Sequence, residues 1–392
     1  MTGPASRARR GGVALACAFA LAGCGTAPPG AGEAARWLLG RLGPDGAFLY
    51  RYDAKKDEES DRRNFVRQAG AAYSLIQFGR TAGAREALDG GRKALGFLLA
   101  RLSRETRDGA DVAFLSRNDG GKAPSDAQSP LGAAALAMLA ILEIPAADRT
   151  AAEAAAVEPL SRFLRWMQHP DGRFWKSREE RLAKADPGPP ADYFPGEAMF
   201  ALSRHAAETK SPESRRAALL AAARQFMEFR AGASPDHWTM QGLALLATGR
   251  EDPGEPPENA PSLPRGQILD MLEAMSAEIL GEQIGEEGRE AFRGGFRSAD
   301  PPRLAHAATR LEGLGAARSA LAASGRDISA LDRGIRAGLG FVRSLQVGPA
   351  EARTLPNPAK ALGGFRGAPG EWDMRIDYAQ HALSAFLLCE RR

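Results

Sequence analysis

Four residues of this chain are the best candidates for acid–base chemistry: Glu197, Asp236, Asp377 and His381. Glu197 can pair with Asp236 or Asp377, one carboxyl group acting as a general acid with a raised pKa and the other as base or nucleophile. His381 adds an imidazole that titrates near neutral pH. Such a set favours chemistry on sugars, and hydrolysis, lyase action and epimerisation all remain open.

A larger set of polar and aromatic residues is expected to bind a substrate. Arginine side chains can hold a uronate or another anion, and tyrosine or tryptophan rings can stack on sugar faces. The set comprises Arg67, Gln68, Tyr193, His237, Trp238, His306, Arg310, Glu312, Arg375 and Tyr378, with Asp126 and Gln128 as further candidates. Most of these residues lie near the beginning of an apolar segment, which predicts that they converge on one cavity.

Each acid–base candidate also has a purely structural interpretation. Glu197 falls in a first helical turn, where a carboxylate stabilises the helix dipole. Asp236 and Asp377 stand just ahead of apolar helices and can act as N-caps. His381 lies four residues after Asp377 and can pair with that carboxylate inside the core. Aromatic side chains, likewise, lie in a core more often than on a binding surface.

Metal binding is a second hypothesis for the same region. Asp236, His237, His306 and His381 can supply carboxylate and imidazole ligands to zinc. Cysteine ligands are excluded, because Cys389 is the only cysteine beyond the first 24 residues. The sequence assigns no residue to a metal site and leaves the cofactor unknown.

Helical segments of two kinds alternate along the chain and must position these side chains. Six are almost wholly apolar, as expected of helices buried on all sides: 65–78, 129–142, 192–202, 236–247, 302–317 and 377–388. Six are amphipathic: 34–42, 84–102, 151–167, 212–230, 265–281 and 328–345. The alternation predicts an all-α fold, a single (α/α)6 toroid of about twelve helices with an inner and an outer ring.

Three turns share a glycine followed closely by an aromatic residue: 44–48, 170–175 and 363–365. They resemble the turns of the α/α-toroid superfamily, which includes six-hairpin glycosidases, terpenoid cyclases and prenyltransferase β-subunits. The resemblance implies a toroid over nearly the whole mature chain and a ligand in its central cavity. The cysteine zinc ligands of prenyltransferases and the aspartate-rich motif of terpene cyclases are absent from this sequence.

The beginning of the chain has the layout of a secretory signal, with three arginines ahead of an apolar run at 13–22. The end of this segment, Leu21-Ala22-Gly23-Cys24, resembles a bacterial lipobox. This resemblance implies cleavage before Cys24 and a lipid anchor on its sulfur. We therefore expect a signal peptide at 1–23, a flexible tether at 24–33 and a toroid domain at 34–392.

Charge narrows the range of partners. Residues 1–23 contain three arginines and no acidic residue, so their removal lowers the formal net charge from +4 to +1. A nearly neutral surface argues against nucleic acid as a partner. We expect a lipid-anchored protein of the bacterial cell envelope that binds or processes carbohydrate, including uronate-containing carbohydrate, by carboxylate acid–base chemistry. The alternatives are a non-catalytic glycan- or protein-binding lipoprotein and a zinc-binding toroid enzyme.

Overall fold

The computed structural model describes residues 27–60, 62–116, 129–184, 186–187, 193–249 and 263–390. The expected signal peptide, Cys24, Asp126, Gln128 and Asp192 lie outside these ranges. Within them, no helix is both long enough and apolar enough to cross a membrane.

The described residues form a mainly helical chain with a few short strands. The helices are α1 (Ala31–Gly40), α2 (Phe65–Thr81), α3 (Arg85–Leu99), α4 (Leu131–Glu143), α5 (Ala151–Trp166), α6 (Arg178–Leu182), α7 (Phe194–Thr209), α8 (Pro212–Arg230), α9 (His237–Thr248), α10 (Arg265–Gly281), α11 (Leu304–Ala323), α12 (Ser329–Ser344), α13 (Pro349–Ala352), α14 (Pro358–Ala361) and α15 (Ile376–Cys389). Single 3-10 turns occur at Ala146–Asp148 and Glu290–Phe292. The strands are β1 (Arg51–Asp53), β2 (Glu58–Ser60), β3 (Leu102–Arg107), β4 (Ala110–Leu115) and β5 (Asp373–Arg375).

The inner ring consists of α2, α4, α7, α9, α11 and α15. Each of these helices packs against the next, and α15 packs against α2, so that the ring closes. The helices α1, α3, α5, α8, α10 and α12 lie outside it, each against one or two inner helices. This architecture confirms the predicted all-α, single (α/α)6 toroid. Several helix boundaries differ from the predicted ones; α1, for example, begins at Ala31, within the segment expected to be a tether.

Burial explains which helices lie inside. Every residue of α4 is buried, as its continuous run of Ala, Leu, Ile and Met requires. By contrast, α12 buries one face, which includes Leu331, Ile335, Leu339 and Val342, and exposes arginines on the other. A helix without a polar face is stable only when neighbours cover it on all sides.

The alternation of inner and outer helices fixes their directions. Outer and inner helices follow each other along the chain, and short connections such as 82–84 and 210–211 join an inner helix to the next outer one. Because each helix reverses the direction of the one before it, all inner helices run the same way. Their N-terminal ends therefore meet at one end of the ring. The longer outer-to-inner connections, such as 41–64 and 345–375, also lie at this end.

The strands belong to these connections. Strands β2, β1 and β5 form a small antiparallel sheet in that order, with Tyr52 opposite both Glu59 and Met374. Strands β3 and β4 form a hairpin between α3 and α4. This hairpin was not predicted from the sequence, because each strand has only six residues and β4 shows no alternation of buried and exposed residues.

Candidate functional site

Glu197 lies in the first turn of α7, at the end of the ring where the N-termini meet, and its side chain is buried. Burial and the negative charge of nearby Asp236 raise the pKa of this carboxyl group to about 8. Its Oε2 atom has no hydrogen-bond partner in the part of the chain that the structure describes. Glu197 is therefore protonated at neutral pH and can act as a proton donor.

Two glycines make room for these carboxyl groups. A Cβ atom at Gly132 of α4 would lie 2.1 Å from Glu197 Oε2, and one at Gly196 would lie 1.9 Å from Asp236 Oδ2. Only glycine permits such close approach at either position. The sequence analysis missed both residues, although a glycine near the start of an apolar inner helix is a usable signal.

Asp236 caps α9, as its structural interpretation predicted. Its Oδ2 atom accepts hydrogen bonds from the backbone N–H and the hydroxyl of Thr239, both at 2.8 Å. Its Oδ1 atom lies 3.3 Å from Nδ1 of His237 and is buried, with no hydrogen-bond partner among the residues that the structure describes. Asp236 thus combines a structural role with a free acceptor in the site.

His381 on α15 contacts Glu312 on α11, with 2.7 Å between Nδ1 and Oε1. Glu312 is fully buried, whereas the side chain of His381 is partly exposed. The structural alternative for His381 was a pair with Asp377, whereas its hydrogen bond goes to Glu312. Glu312, expected to bind substrate, instead orients this imidazole.

His237 completes the group at the start of α9. Its ring packs edge-on against the rings of His381 and Tyr193, each with 5.4 Å between ring centroids. Nε2 of His237 is buried and has no hydrogen-bond partner within the described ranges. Of the metal ligands expected from the sequence, the structure brings His237 and His381 together and adds Glu312 to them.

A second cluster lies beside the first, on β5, α15 and α2. Asp377 is buried and accepts a bidentate pair of hydrogen bonds from Arg375. Nε of Arg67 lies 3.3 Å from the same carboxylate. Although burial alone would raise the pKa of Asp377, Arg375 and Arg67 lower it below its usual value. Asp377 is therefore ionised, pairs with arginine and does not cap α15.

Arg67 retains unused hydrogen-bonding capacity. Within the described residues its guanidinium makes no hydrogen bond besides the ion pair with Asp377, and it lies over the ring of Tyr50. Burial lowers the pKa of this side chain, which nevertheless remains a cation. Two arginines around one carboxylate leave a net positive charge at this cluster.

Two expected substrate-binding residues belong to the core. The amide of Gln68 exchanges two hydrogen bonds of 2.8 Å with the backbone of Phe48 and so holds a turn in place. Trp238 is 1% exposed and packs against Phe200 and Tyr73, so it presents no face to a sugar. Both expectations are corrected by this packing.

The remaining expected residues have other partners. His306 contacts Ser298, and Arg310 forms an ion pair with Glu282, so neither joins the central cluster. Tyr378 is buried beneath the guanidinium of Arg375. Among the aromatic residues expected to stack on sugars, Tyr193 has an exposed ring, with 43% of its surface accessible.

No protein-family model matches the chain, and no curated protein matches it in sequence. Solved structures do match. An inactive variant of an α-1,6-mannanase from Salegentibacter sp. HEL1_6, in complex with α-1,6-mannotriose, is 9% identical, with a TM-score of 0.60 over 92% of this chain and 98% of that chain. A D-mannose isomerase is 14% identical, with a TM-score of 0.58 over 91% and 94%.

A third structure, that of an unsaturated glucuronyl hydrolase with dGlcA-Glc-Rha-Glc, is 14% identical, with a TM-score of 0.54 over 92% of this chain and 95% of that chain. These neighbours are carbohydrate-active enzymes with one architecture. At such low identities the likeness concerns the fold alone. The chain has the six-hairpin, glycosidase-like α/α-toroid fold.

Proposed function

We propose that this protein processes carbohydrate at the N-terminal end of its inner ring by acid–base chemistry. The observation that carries the proposal is the buried, protonated carboxyl group of Glu197 beside Asp236. A carboxylic acid with a pKa near the working pH is suited to donate a proton to a sugar oxygen. The imidazoles of His237 and His381 lie in the same polar cluster, which provides proton acceptors.

The structural neighbours support the substrate class. Their names cover a mannanase, a mannose isomerase and a glucuronyl hydrolase, which perform different reactions on sugars with one fold. The reaction here is therefore best identified directly from the products.

A panel of sugars tests the proposal. We expect the full-length protein to convert at least one of D-mannose, D-glucuronate and α-1,6-mannotriose, as followed by ¹H NMR at neutral pH. Hydrolysis, elimination and isomerisation give different proton signals. Line broadening that demonstrates binding, without product signals for any of the three sugars, would instead favour a glycan-binding protein and contradict catalysis.

We further propose that the substrate carries an anionic group, such as a uronate carboxylate. The unused donors of Arg67 and the net positive charge around Asp377 support this specificity. Asp377 stands one helical turn before His381 on the same face of α15. An anion held by Arg67 would thus lie beside the acid–base cluster.

Replacing Arg67 tests this specificity. In Arg67→Gln we expect binding of D-glucuronate to weaken about tenfold or more, because a charge-assisted contact is lost, while binding of D-glucose changes little. Arg63→Gln is the matched control, since Arg63 is an exposed arginine near the start of the same helix. Isothermal titration calorimetry measures both sugars. Equal affinity of the wild type and Arg67→Gln for D-glucuronate would refute the role of Arg67.

Attachment to a bacterial envelope membrane through a lipid on Cys24 is part of the same proposal. It is supported by the lipobox-like sequence 21–24.

A further inference from the structure

Three residues at the centre of the candidate site have the chemistry of metal ligands. His237, Glu312 and His381 come from three neighbouring inner helices, α9, α11 and α15. One potential ligand atom from each lies within 4.8 Å of the others. Because each helix is held in the closed ring, the three side chains approach each other without any flexible loop.

Two of the donor atoms have no hydrogen-bond partner among the described residues. These atoms, Nε2 of His237 and Oε2 of Glu312, are buried, and both residues are at most 3% exposed. A buried polar atom without a partner costs free energy, typically about 1–3 kcal/mol. A bound cation would satisfy the nitrogen and the oxygen together.

A neighbouring carboxylate supports one of the ligands. Oδ1 of Asp236 lies 3.3 Å from Nδ1 of His237 and has no hydrogen-bond partner. A carboxylate in this position favours a proton on Nδ1, which leaves Nε2 as the free electron-pair donor. Imidazole ligands of metal ions commonly have such a partner.

We propose that His237, Glu312 and His381 bind a divalent transition-metal ion, with zinc as the best match. Two imidazoles and one carboxylate form a donor set typical of catalytic zinc, and calcium or magnesium would require more oxygen ligands. The partly exposed side chain of His381 places the site next to solvent, so a coordination position is left for water or substrate. This inference deepens the proposed function, since the metal occupies the same site.

Metal content tests the inference independently of any sugar. The full-length protein is dialysed with about 10 µM ZnCl₂ and then against metal-free buffer, and bound zinc is measured by mass spectrometry. We expect about one equivalent in the wild type and in the control His169→Ala, because His169 pairs with Asp171 on an outer turn. In His237→Ala and Glu312→Gln we expect the affinity for zinc to fall about tenfold or more.

The wild type also provides a readout that does not depend on any variant folding. Substitution with Co²⁺ should give the visible absorption of a four- or five-coordinate nitrogen and oxygen site. A wild type that retains no zinc and shows no such absorption would overturn the inference. So would folded His237→Ala and Glu312→Gln proteins that bind zinc as tightly as the wild type. Carbohydrate turnover without bound metal would leave the proposed function standing and reject the metal alone.

Discussion

The carboxyl group of Glu197 shows how position alters the chemistry of a residue. In an exposed first turn a glutamate would be ionised and would stabilise the helix dipole. Here the side chain is buried, has an unpartnered oxygen and lies near Asp236, so its pKa is raised to about 8. The structural interpretation from the sequence therefore accounts for its place in the helix but not for its protonation.

The raised pKa predicts how stability depends on pH. The folded state keeps Glu197 protonated up to about pH 8, whereas the unfolded chain releases this proton near the ordinary value of 4.5. The protonated group therefore contributes fully to the free energy of unfolding below pH 4.5, and this contribution is lost as the pH rises towards 8. Glu197→Gln cannot ionise, so it should gain stability relative to the wild type between pH 4 and pH 9, by up to a few kcal/mol.

Urea unfolding at the two pH values measures this difference. Glu208→Gln is the control, because Glu208 lies near the other end of α7, where it is partly exposed and pairs with Arg149. A difference in unfolding free energy between Glu197→Gln and the wild type that is the same at pH 4 and pH 9 would show that the pKa is not raised.

The sequence identified which side chains could take part in the site, but it did not predict which side chains they contact. For His381 the structural alternative was a pair with Asp377, four residues away on the same helix, yet it contacts Glu312, which is 69 positions away in the chain. Trp238 and Gln68 stand near helix starts like the other candidates, but their side chains point into the core. Local spacing does not determine which face of a buried helix borders the site.

Among the connecting elements, the turns with a glycine followed by an aromatic residue each come after an outer helix of the toroid. Beyond the three predicted turns, the structure has a fourth, in which Gln283 pairs with Phe296. Glutamine amides follow three outer helices and hydrogen-bond across to neighbouring backbone, as Gln283 does to Gly294 and Gly334. This turn was missed although residues 294–296 have the same Gly-Gly-Phe sequence as the predicted turn at 363–365.

The glycine of this turn provides a test of the packing. Gly294 has φ +82°, and a Cβ atom there would lie 2.1 Å from the carbonyl oxygen of Ala337 in α12. Gly294→Ala should therefore destabilise the protein through both backbone strain and collision, by about 1–3 kcal/mol. Gly325→Ala is the matched control, since Gly325 has φ +76° but no atom within 4 Å of a Cβ. Thermal unfolding that shows equal losses for the two variants would disprove close packing at Gly294.

The helices were predictable because the two kinds of segment differ in burial along their whole length. An inner helix such as α4 has no polar face, and an outer helix such as α12 has one, so the pattern itself distinguishes the rings. The β3–β4 hairpin was not predictable, since its stability comes from packing β4 against α5 and α4. Tertiary contacts of this kind leave little signal in a six-residue strand.

At the scale of the whole molecule, the closed ring gathers residues from distant parts of the chain. His237, Glu312 and His381 lie on different inner helices and meet at one end of the ring, where Glu197 of α7 lies near Asp236. The alternation of inner and outer helical segments in the sequence predicted that the inner helices begin at one end of the ring. The exact neighbours within the cluster depend on helix rotation, which no repeat pattern specifies.

The proposed lipid anchor is tested on the intact protein. If Cys24 carries the lipid, Cys24→Ala should move the protein from the membrane pellet to the soluble fraction, because a lipid chain contributes most of the membrane affinity. Cys17→Ala is the matched control, as this cysteine lies in the apolar part of the expected signal peptide. Retention of Cys24→Ala in the membrane fraction would contradict lipidation at this site.

The most direct test of the central claim compares the turnover rate of Glu197→Gln with that of the wild type on whichever panel sugar is converted. The variant keeps the shape of the protonated side chain but cannot donate its proton, so the rate should fall about 100-fold or more, the usual effect of losing a general acid. Glu208→Gln, on the same helix, should stay within about twofold of the wild type. A folded Glu197→Gln protein with the wild-type rate would contradict the proposed acid–base site.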